Sequence, residues 1–412
     1  MHVHSHLSAL CSYCHRKSPY YQFLPDCSKG FHRIRQQSNA KAILCPMIRD
    51  EEGFLNEWIG YYYMHGFSHI MIFNDGSTDN FMEEIKPWMD RGFVSVRSNF
   101  TFESLNNREF PSMTKYQKKI SIKMAVEVEC KLQALQWGYD FFFSVDLDEY
   151  IIPALEDKTI IDTVLEISKN SACKLFCYNK LNFPSTPHLT EPVHLLTIEA
   201  YQTRNAAQRR MDYYMHVMPK CGYYLNHTDY SYNMTMYVAY CCSFHGCVAT
   251  DRLNNITICA DGAAMKFMNF KGQNCETGHM NHYSRSLEKF SLKSKTWETA
   301  KDGSDKDAIA YDVNGFLRRS IGWKYDPSAL RYSCQLREVL AEVTGNETFL
   351  RAGTGWFRNV EFGRPVDDPS KRGRNGHPLR KGFTYRDGNP YHYHGGIQKE
   401  THLGNQKKMS SH

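Results

Sequence analysis

No stretch of about eighteen consecutive apolar residues, the length that spans a bilayer, occurs in the 412-residue sequence, so it is predicted to encode no membrane span. The N-terminus has no continuous apolar segment of the kind found in signal peptides. The 14 cysteines are spread along the chain, so their spacing establishes no disulfides. There is no internal repeat. These absences argue against a membrane-spanning protein, a repeat protein and a small disulfide-rich scaffold.

The basic surplus lies at the two ends of the chain. Residues 1–40 carry five Lys or Arg and one Asp, and residues 365–412 carry nine Lys or Arg and four acids. Because the whole chain has a net charge of only +6, residues 41–364 are net acidic, at −3. Such ends are typical of solvated tails, with nucleic-acid binding as the minority interpretation. A hydrophobic content of 42% is enough for a sizeable core.

The signals for cellular compartment disagree. Asn-x-Ser/Thr sequons, which favour a secretory compartment, occur at Asn99, Asn226, Asn233, Asn255 and Asn346. No signal peptide accompanies them. Either the protein is cytosolic, or the true N-terminus with its membrane anchor is absent from this sequence. A Golgi or secretory location is the favoured expectation, and a cytoplasmic one stays open.

Strand and helix patterns alternate over the first 150 residues. Short apolar runs at 41–48, 68–75, 93–98 and 141–145 predict buried strands. Amphipathic segments at 50–66, 80–92 and 115–138 predict helices between them, the second disturbed by Pro87. This order predicts an α/β fold with a doubly wound, mostly parallel sheet. From 170 to 260 the pattern becomes irregular and predicts mixed sheet.

An acidic cluster follows the fourth predicted strand, in “FFFSVDLDEYIIP”, residues 141–153. Ligands of open parallel sheets bind at the carboxyl ends of the strands, which is where Asp146 and Asp148 lie. With one residue between them, their side chains leave an extended backbone on the same side. Their mutual repulsion is relieved by a divalent cation, and oxygen ligands suit Mg²⁺ or Mn²⁺. The alternative is a helix cap or an ordinary acidic turn.

Two further candidates lie at the same predicted sheet edge. Asp75, in “FNDGSTDN”, is placed to accept hydrogen bonds from a base or a ribose, and a plain strand-to-helix turn is its alternative. Arg49, in “CPMIRDEE”, is placed to meet a diphosphate, and a surface arginine at a helix start is its alternative. “CPMIRDEEG” lacks the Gly-rich basic loop expected of a sugar-1-phosphate nucleotidyltransferase.

Three segments, taken in order, carry a family resemblance. “RDEEGFLNEWIGYYYMHGFSHIMIFNDGSTDN”, “WGYDFFFSVDLDEYIIP” and “GHMNHYSRSLEKFSLKS” resemble glycosyltransferase family 92 and the related family 2 type glycosyltransferases. The resemblance covers roughly residues 41–300. It implies a GT-A type, Rossmann-like sheet with a mixed-sheet acceptor half, and transfer of a sugar from a nucleotide donor with Mn²⁺ or Mg²⁺. UDP-galactose is the first donor to consider, and a glycan or another hydroxyl compound is the expected acceptor.

The resemblance also implies roles for individual residues. Asp146 and Asp148 correspond to the metal-binding pair, Asp75 to the nucleotide contact, and His282 to a third group near the metal or the diphosphate. His282 is favoured over His279 because only its position matches. Glu276 is the candidate catalytic base, with a solvated loop acid as the alternative. Two supporting roles are also considered, for Glu149 at the metal site and for Lys220 at a phosphate.

The predicted organisation follows. Residues 1–40 are expected to be poorly ordered, and 41–300 to form the glycosyltransferase domain, with a nucleotide-binding half at 41–150 and an acceptor half at 151–300. Residues 301–364 are expected to form a helical or irregular extension, and 365–412 a basic disordered tail. The alternative functions are a GT-A-like binding protein without turnover and a nucleic-acid binder that uses the tails. Against the latter, the acidic middle repels phosphate backbones.

Overall fold

The structure is a computed structural model, and it describes most of the chain between residues 24 and 350. The described residues are 24–98, 126–127, 129–171, 173–184, 191–192, 195–204, 220–225, 257–260, 273–286, 289 and 324–350. All of them belong to one compact unit, Met1–Pro365. The predicted tail at 365–412 and residues 115–125 of the predicted helix at 115–138 lie outside the described residues.

The half that the sequence predicts to bind the nucleotide, residues 41–150, alternates strands and helices in the predicted order, and we call it the nucleotide-side half. The strands are β1 (Ala42–Leu44), β2 (Met47–Ile48), β3 (His69–Asn74), β4 (Val94–Arg97) and β5 (Phe141–Phe143). Helix α1 (Leu55–Met64) precedes β3, and α2 (Phe81–Asp90) precedes β4. Residues 129–136, ahead of β5, are also helical. Pro87 lies inside α2, which continues to Asp90.

The described part of the second half adds further strands and helices. The strands are β6 (Glu149–Pro153), β7 (Cys173–Phe183), β8 (Thr203–Arg204), β9 (Lys220–Tyr224), β10 (Thr257–Ala260), β11 (Gln273–Asn274), β12 (Gly278–Tyr283) and β13 (Lys324–Tyr325). The helices are α3 (Ile160–Asn170), α4 (Thr197–Ala200) and α5 (Ser333–Thr344). None of the helices in the described ranges is both long and apolar enough to cross a bilayer.

The main sheet combines a parallel half with a mixed half. Strands β4, β3, β1 and β5 pair in parallel, as do β2 and β3. Strand β9 is inserted antiparallel between β5 and β7, and β12 pairs parallel with β7 and antiparallel with β6. The sheet is therefore mostly parallel on the nucleotide side and mixed beyond β5, which confirms the predicted fold class.

Both faces of the parallel half are covered. On β1, Ala42 and Leu44 point into the core beneath α1 and α2, whereas Ile43 points to the opposite face, where Cys130 and Ala134 of the helical segment 129–136 pack. This alternation follows from the two-residue period of a strand. A strand that is buried on both sides needs apolar residues at consecutive positions, which explains the unbroken runs in the sequence.

The first helix begins later than the sequence predicts. Asp50 has a φ of +52°, and α1 begins only at Leu55. The intervening loop is bonded to the turn after β3. Asp50 Oδ1 accepts from Thr78 N at 2.7 Å, and the backbone N–H of Glu52 donates to Asp79 Oδ2 at 2.7 Å. Asp50 therefore bonds to the neighbouring loop and lies outside α1, although the predicted helix begins at residue 50.

Part of the N-terminal segment is packed rather than poorly ordered. Ile34 is only 2% exposed, and its backbone N–H and C=O both bond to the side-chain amide of Gln335 on α5. Cys27 forms a disulfide with Cys334. The prediction of disorder for residues 1–40 is therefore wrong for 24–40, because a long-range partner anchors a segment whose local pattern shows no period.

Two more disulfides tie the sheet together. Cys45, which follows β1, is bonded to Cys130 in the helical segment 129–136, and Cys177 of β7 is bonded to Cys221 of β9. Cys177 and Cys221 are direct partners in the β7–β9 ladder. The cysteine spacing in the sequence gives no sign of these pairs, because each joins segments that are far apart in the chain.

A buried histidine at the end of α1 gives a testable pH dependence. His65 is fully buried between the rings of Tyr61 and Tyr332, at centroid distances of 4.5 Å and 4.6 Å. Burial lowers the pKa of His65 well below its ordinary value, and the charge of Arg331 lowers it further. Protonation is thus disfavoured in the folded state only.

Acidification should therefore reduce the stability of the folded protein, and His65 should account for part of that loss. Below a pH of about 6.5 the unfolded chain takes up the proton and the folded chain does not, so the free energy of unfolding falls by about 1.4 kcal/mol between about pH 7.5 and about pH 5.5. In urea titrations at the two pH values, the fall in the free energy of unfolding should be smaller in His65→Leu than in the parent by about 1.4 kcal/mol. Equal pH slopes in the two proteins would contradict the prediction.

Candidate active site

The acidic cluster forms a turn at the end of β5. The backbone N–H of Glu149 donates to Asp146 O at 3.0 Å, and β6 begins at Glu149. We call residues 146–149 the acid turn. The prediction of an extended backbone with both aspartates on one side is wrong, because the chain reverses here to start a new strand. Asp146 and Asp148 consequently face different partners.

Aromatic side chains of α1 hold the acid turn. Trp58 Nε1 lies 3.1 Å from both Asp146 O and Glu149 O, and Tyr62 Oη donates to Glu149 O at 3.0 Å. The backbone N–H of Tyr283 donates to Asp148 O at 2.8 Å. In the sequence, Trp58 and Tyr62 indicate only an apolar helix face. Their polar atoms add hydrogen bonds to carbonyl groups of the acid turn.

Glu149 is the buried centre of the acid turn. It has no exposed surface, and its Oε1 lies 2.5 Å from Lys180 Nζ. Its Oε2 accepts from the backbone N–H of Asp146 at 2.9 Å and lies 3.4 Å from Lys220 Nζ. Burial alone would raise the pKa of Glu149, but the charges of Lys180 and Lys220 lower it below its ordinary value. Glu149 is therefore ionised in the folded protein.

Lys220 is an internal counter-ion. It is 2% exposed, and its Nζ donates to Asp146 Oδ2 at 3.1 Å. Burial lowers the pKa of Lys220, whereas Asp146 and Glu149 raise it, and the net shift is upward. β9 packs closely beside β5 because Gly222 leaves room: a Cβ there would lie 2.1 Å from the Phe143 ring. Lys220 therefore neutralises the acid turn and does not present its charge at the surface to a phosphate.

Asp148 faces His282. Oδ2 of Asp148 and Nε2 of His282 are 3.8 Å apart, and His282 Nδ1 lies 3.0 Å from Asn182 Oδ1. Neighbouring β7 and β12 place Asn182 and His282 in register. Because an amide oxygen can only accept, Nδ1 is the donor in this bond, and in the neutral ring Nε2 then carries a lone pair directed towards the carboxylate.

This pair fits a divalent ion. The 3.8 Å separation is too long for a hydrogen bond, and it lets both atoms reach one ion at about 2.1 Å from each. Histidine ligands characteristically donate their second ring N–H to a fixed acceptor, as His282 does to Asn182. The ligand atoms of Asp148, Glu149 and His282 all lie within 4.8 Å of one another. Asp146 lies outside this group.

Asp75 and Arg49 lie at the same sheet edge. They directly follow β3 and β2, whose last residues, Asn74 and Ile48, are paired. Arg49 Nη1 is 3.9 Å from Asp75 Oδ2, and the side chain of Arg49 is 49% exposed. Strands β3 and β5 flank β1, so the strand that leads to Asp75 and the strand that leads to the acid turn are about 10 Å apart.

Glu276 and His279 are not brought into this group. Glu276 is exposed and precedes β12, whereas His282 lies near the far end of that strand. Thr277 Oγ1 donates to Cys177 O, so the chain runs extended along β7 from Thr277, and the five steps from Thr277 to His282 span about 16 Å. His279 Nε2 lies 3.4 Å from Ser328 Oγ, and three residues along a strand put it on the face opposite His282.

The family can now be stated from comparison with known proteins. The model of glycosyltransferase family 92 matches residues 44–309, which is more than half of the chain and includes every candidate residue above. The chain belongs to glycosyltransferase family 92. The family makes the chain a glycosyltransferase, and its mostly parallel α/β sheet agrees with the fold class that the sequence predicts. No curated protein matches the chain.

Solved structures resemble the glycosyltransferase only loosely. TarS from S. aureus in complex with UDP aligns with a TM-score of 0.30 and 11% identity over 76% of this chain and 90% of that one. Glucosyl-3-phosphoglycerate synthase from Mycobacterium tuberculosis, in complex with Mn²⁺, UDP and glucosyl-3-phosphoglycerate, aligns with a TM-score of 0.29 and 12% identity over 68% and 80%. Superpositions this loose support no inference about the site.

The charge balance at the acid turn gives a prediction about Lys180. Removing one partner of a buried ion pair leaves an uncompensated charge, which costs about 3–5 kcal/mol. Lys180→Met should therefore destabilise the protein by that amount, and adding Glu149→Gln should restore part of it. Chemical denaturation of both single variants and the double variant forms the cycle that measures the coupling.

The matched control is Lys86→Met. Lys86 forms an ion pair with Asp90 on the surface of α2, and exposed pairs contribute little to stability. Lys86→Met should have nearly the same free energy of unfolding as the parent. Additive effects of Lys180→Met and Glu149→Gln would contradict the coupling.

Proposed function

We propose that this glycosyltransferase transfers a hexose, with galactose as the first candidate, from a UDP-sugar to a hydroxyl group of a glycan, and that it requires Mn²⁺ or Mg²⁺. The observation that carries the metal requirement is the pair formed by Asp148 and His282, whose facing atoms are 3.8 Å apart. Asn182 fixes the ring of His282 in the orientation that a metal ligand needs.

Each residue has a separate task in this proposal. Asp148 and His282 would hold the ion, which neutralises the donor diphosphate and makes the nucleotide a better leaving group. Asp75 would accept hydrogen bonds from the nucleoside, and Arg49, with half of its side chain exposed, would meet the diphosphate. Asp146 is neutralised by Lys220, so we assign it to the nucleotide sugar rather than to the ion.

Glu276 has no part in the proposal as the base. A general base has to lie within hydrogen-bond reach of the proton that it removes, directly or through one water. Glu276 precedes the β7–β12 ladder, and the extended chain from Thr277 to His282 spans about 16 Å. Its exposure fits the alternative interpretation, a solvated loop acid.

Calorimetry of UDP binding, with and without Mn²⁺, tests the donor and the ion. The parent should bind UDP only weakly without Mn²⁺, and Asp148→Asn should lose most of the gain that Mn²⁺ brings, because it removes a charged ligand. Release of free sugar from a panel of UDP-sugars then identifies the donor. UDP binding that is equally tight with a chelator present would refute the metal requirement.

Asp326→Asn is the matched control for Asp148→Asn. The side chain of Asp326 is 15% exposed and that of Asp148 is 13% exposed, and Asp326 is bonded to Arg204 outside the site. It should lose stability without losing the response of UDP binding to Mn²⁺. If both variants lose that response equally, Asp148 has no special role.

We also propose that the protein matures in the secretory pathway, where disulfides persist. Three disulfides join segments that are far apart in sequence, for example Cys27 with Cys334. The sequon residue Asn346 is exposed in the turn after α5, where its Oδ1 accepts from Thr348 N. An exposed loop is where N-glycans are carried.

Expression of the full chain behind a heterologous signal peptide in a eukaryotic secretory host tests whether the chain folds and is modified in this pathway. Asn346→Gln should remove one glycan from the intact mass, whereas Thr348→Ser keeps the sequon and should retain it. Peptide mapping without reductant should recover Cys27 linked to Cys334. An unmodified Asn346 together with freely alkylated cysteines would contradict the proposal.

A further inference from the structure

Two strained backbone positions meet beside the acid turn. Asp50 and Arg285, with φ values of +52° and +59°, are the only non-glycine residues with positive φ in the described part of the chain. They are more than two hundred residues apart, yet both belong to one junction, in which Arg285 bonds to Glu51 and Lys289 Nζ donates to Asp50 O at 2.7 Å. Such strain persists only where surrounding contacts enforce it, and it concentrates at functional sites.

Arg285 connects three parts of the site. Its Nη1 donates to Glu51 Oε2 at 2.6 Å, and its Nη2 donates to Leu147 O at 2.8 Å. Leu147 is the residue between Asp146 and Asp148. The guanidinium also lies 3.8 Å from the centre of the Phe54 ring, and the whole residue is 2% exposed. One side chain thus joins the loop after β2 to the acid turn from the end of β12.

The contact with Leu147 completes the support of the acid turn. Asp146 O and Glu149 O are held by Trp58, and Asp148 O by the backbone of Tyr283. Leu147 lies between the two aspartates, and its carbonyl oxygen accepts a hydrogen bond from Arg285. A displacement of the peptide between Leu147 and Asp148 would move the Cα of Asp148, and hence its carboxylate, relative to His282.

We propose that Arg285 is a positioning residue that fixes Asp148 opposite His282 for the ion of the donor complex. This inference rests on the proposed function. Arg285 touches neither donor nor ion; it acts through the peptide of Leu147. Its planar fork is required because one group must reach a carboxylate and a carbonyl in two fixed directions, which an ammonium does poorly.

Arg337 offers a matched control with the same chemistry. It is 1% exposed, bonds to Glu199 through Nε and to Phe349 O through Nη1, and lies on α5. If Arg285 had a purely structural role, substituting Arg285 or Arg337 would lower the stability and leave Mn²⁺ binding unchanged. A positioning role predicts that only Arg285 affects the binding of the ion.

The experiment compares Arg285→Lys with Arg337→Lys in the full chain. Mn²⁺ is titrated at fixed UDP by calorimetry, and thermal unfolding is recorded for both variants. Loss of a group that orients a metal ligand typically weakens metal affinity by about 10–100-fold. Arg285→Lys should raise the Mn²⁺ dissociation constant by at least about tenfold, and Arg337→Lys should leave it within about twofold of the parent. Both should unfold at lower temperature.

The outcomes separate this inference from the proposed function. A parent that binds no UDP with either ion refutes the proposed function itself. A parent that binds UDP with Mn²⁺, together with an unchanged Mn²⁺ dissociation constant in Arg285→Lys, refutes the role of Arg285. If Arg285→Lys does not fold, Glu51→Gln replaces it, because it keeps an oxygen acceptor for Arg285 and removes the charge. It should then raise the Mn²⁺ dissociation constant in the same direction by a smaller factor, and no change would refute the inference.

Discussion

A fully buried carboxylate at Glu149 is the constraint on which the site depends. An ionised group without exposure needs cations close by, and Lys180 and Lys220 supply them from β7 and β9. Lys220 reaches the carboxylate because β9 is inserted antiparallel between β5 and β7. The topology of the mixed half therefore matters to the acid turn. Strands β7 and β9 of that half carry the two lysines that compensate the charge of Glu149.

This arrangement changes the electrostatic reason for expecting an ion. The sequence suggests that Asp146 and Asp148 repel each other and that a divalent cation relieves the repulsion. In the structure Lys220 contacts Asp146 and both lysines contact Glu149, so the protein already supplies much of the compensating charge. The case for an ion rests instead on donor geometry, in the gap between Asp148 and a histidine whose other nitrogen is fixed by Asn182.

Local patterns predicted the fold well and the site only in part. The order of strands and helices followed from apolar runs and helical periods, and Asp75 and the acid turn follow strands as predicted. Lys180, Asn182 and Arg285 could not be found in this way, because each acts on a residue that is distant in sequence and sits in no recognisable local motif. The acidic turn at 146–149 is the alternative that the sequence offers to an extended backbone; because β6 starts at its last residue, Glu149, no separate signal in the sequence favours it. Glu276 seemed close to His282 only by residue count, since an extended strand separates the two.

The disulfide between Cys177 and Cys221 gives the acid turn a dependence on the redox history of the chain. It joins the two strands that carry Lys180 and Lys220, with Cys221 next to Lys220 in sequence. A chain synthesised in a reducing bacterial cytosol would have these strands joined by backbone hydrogen bonds alone, and the counter-ions of Glu149 would be held less firmly. Material from such a host and material from an oxidising one are therefore different samples of the same sequence, and the choice of host is itself an experimental variable for this enzyme.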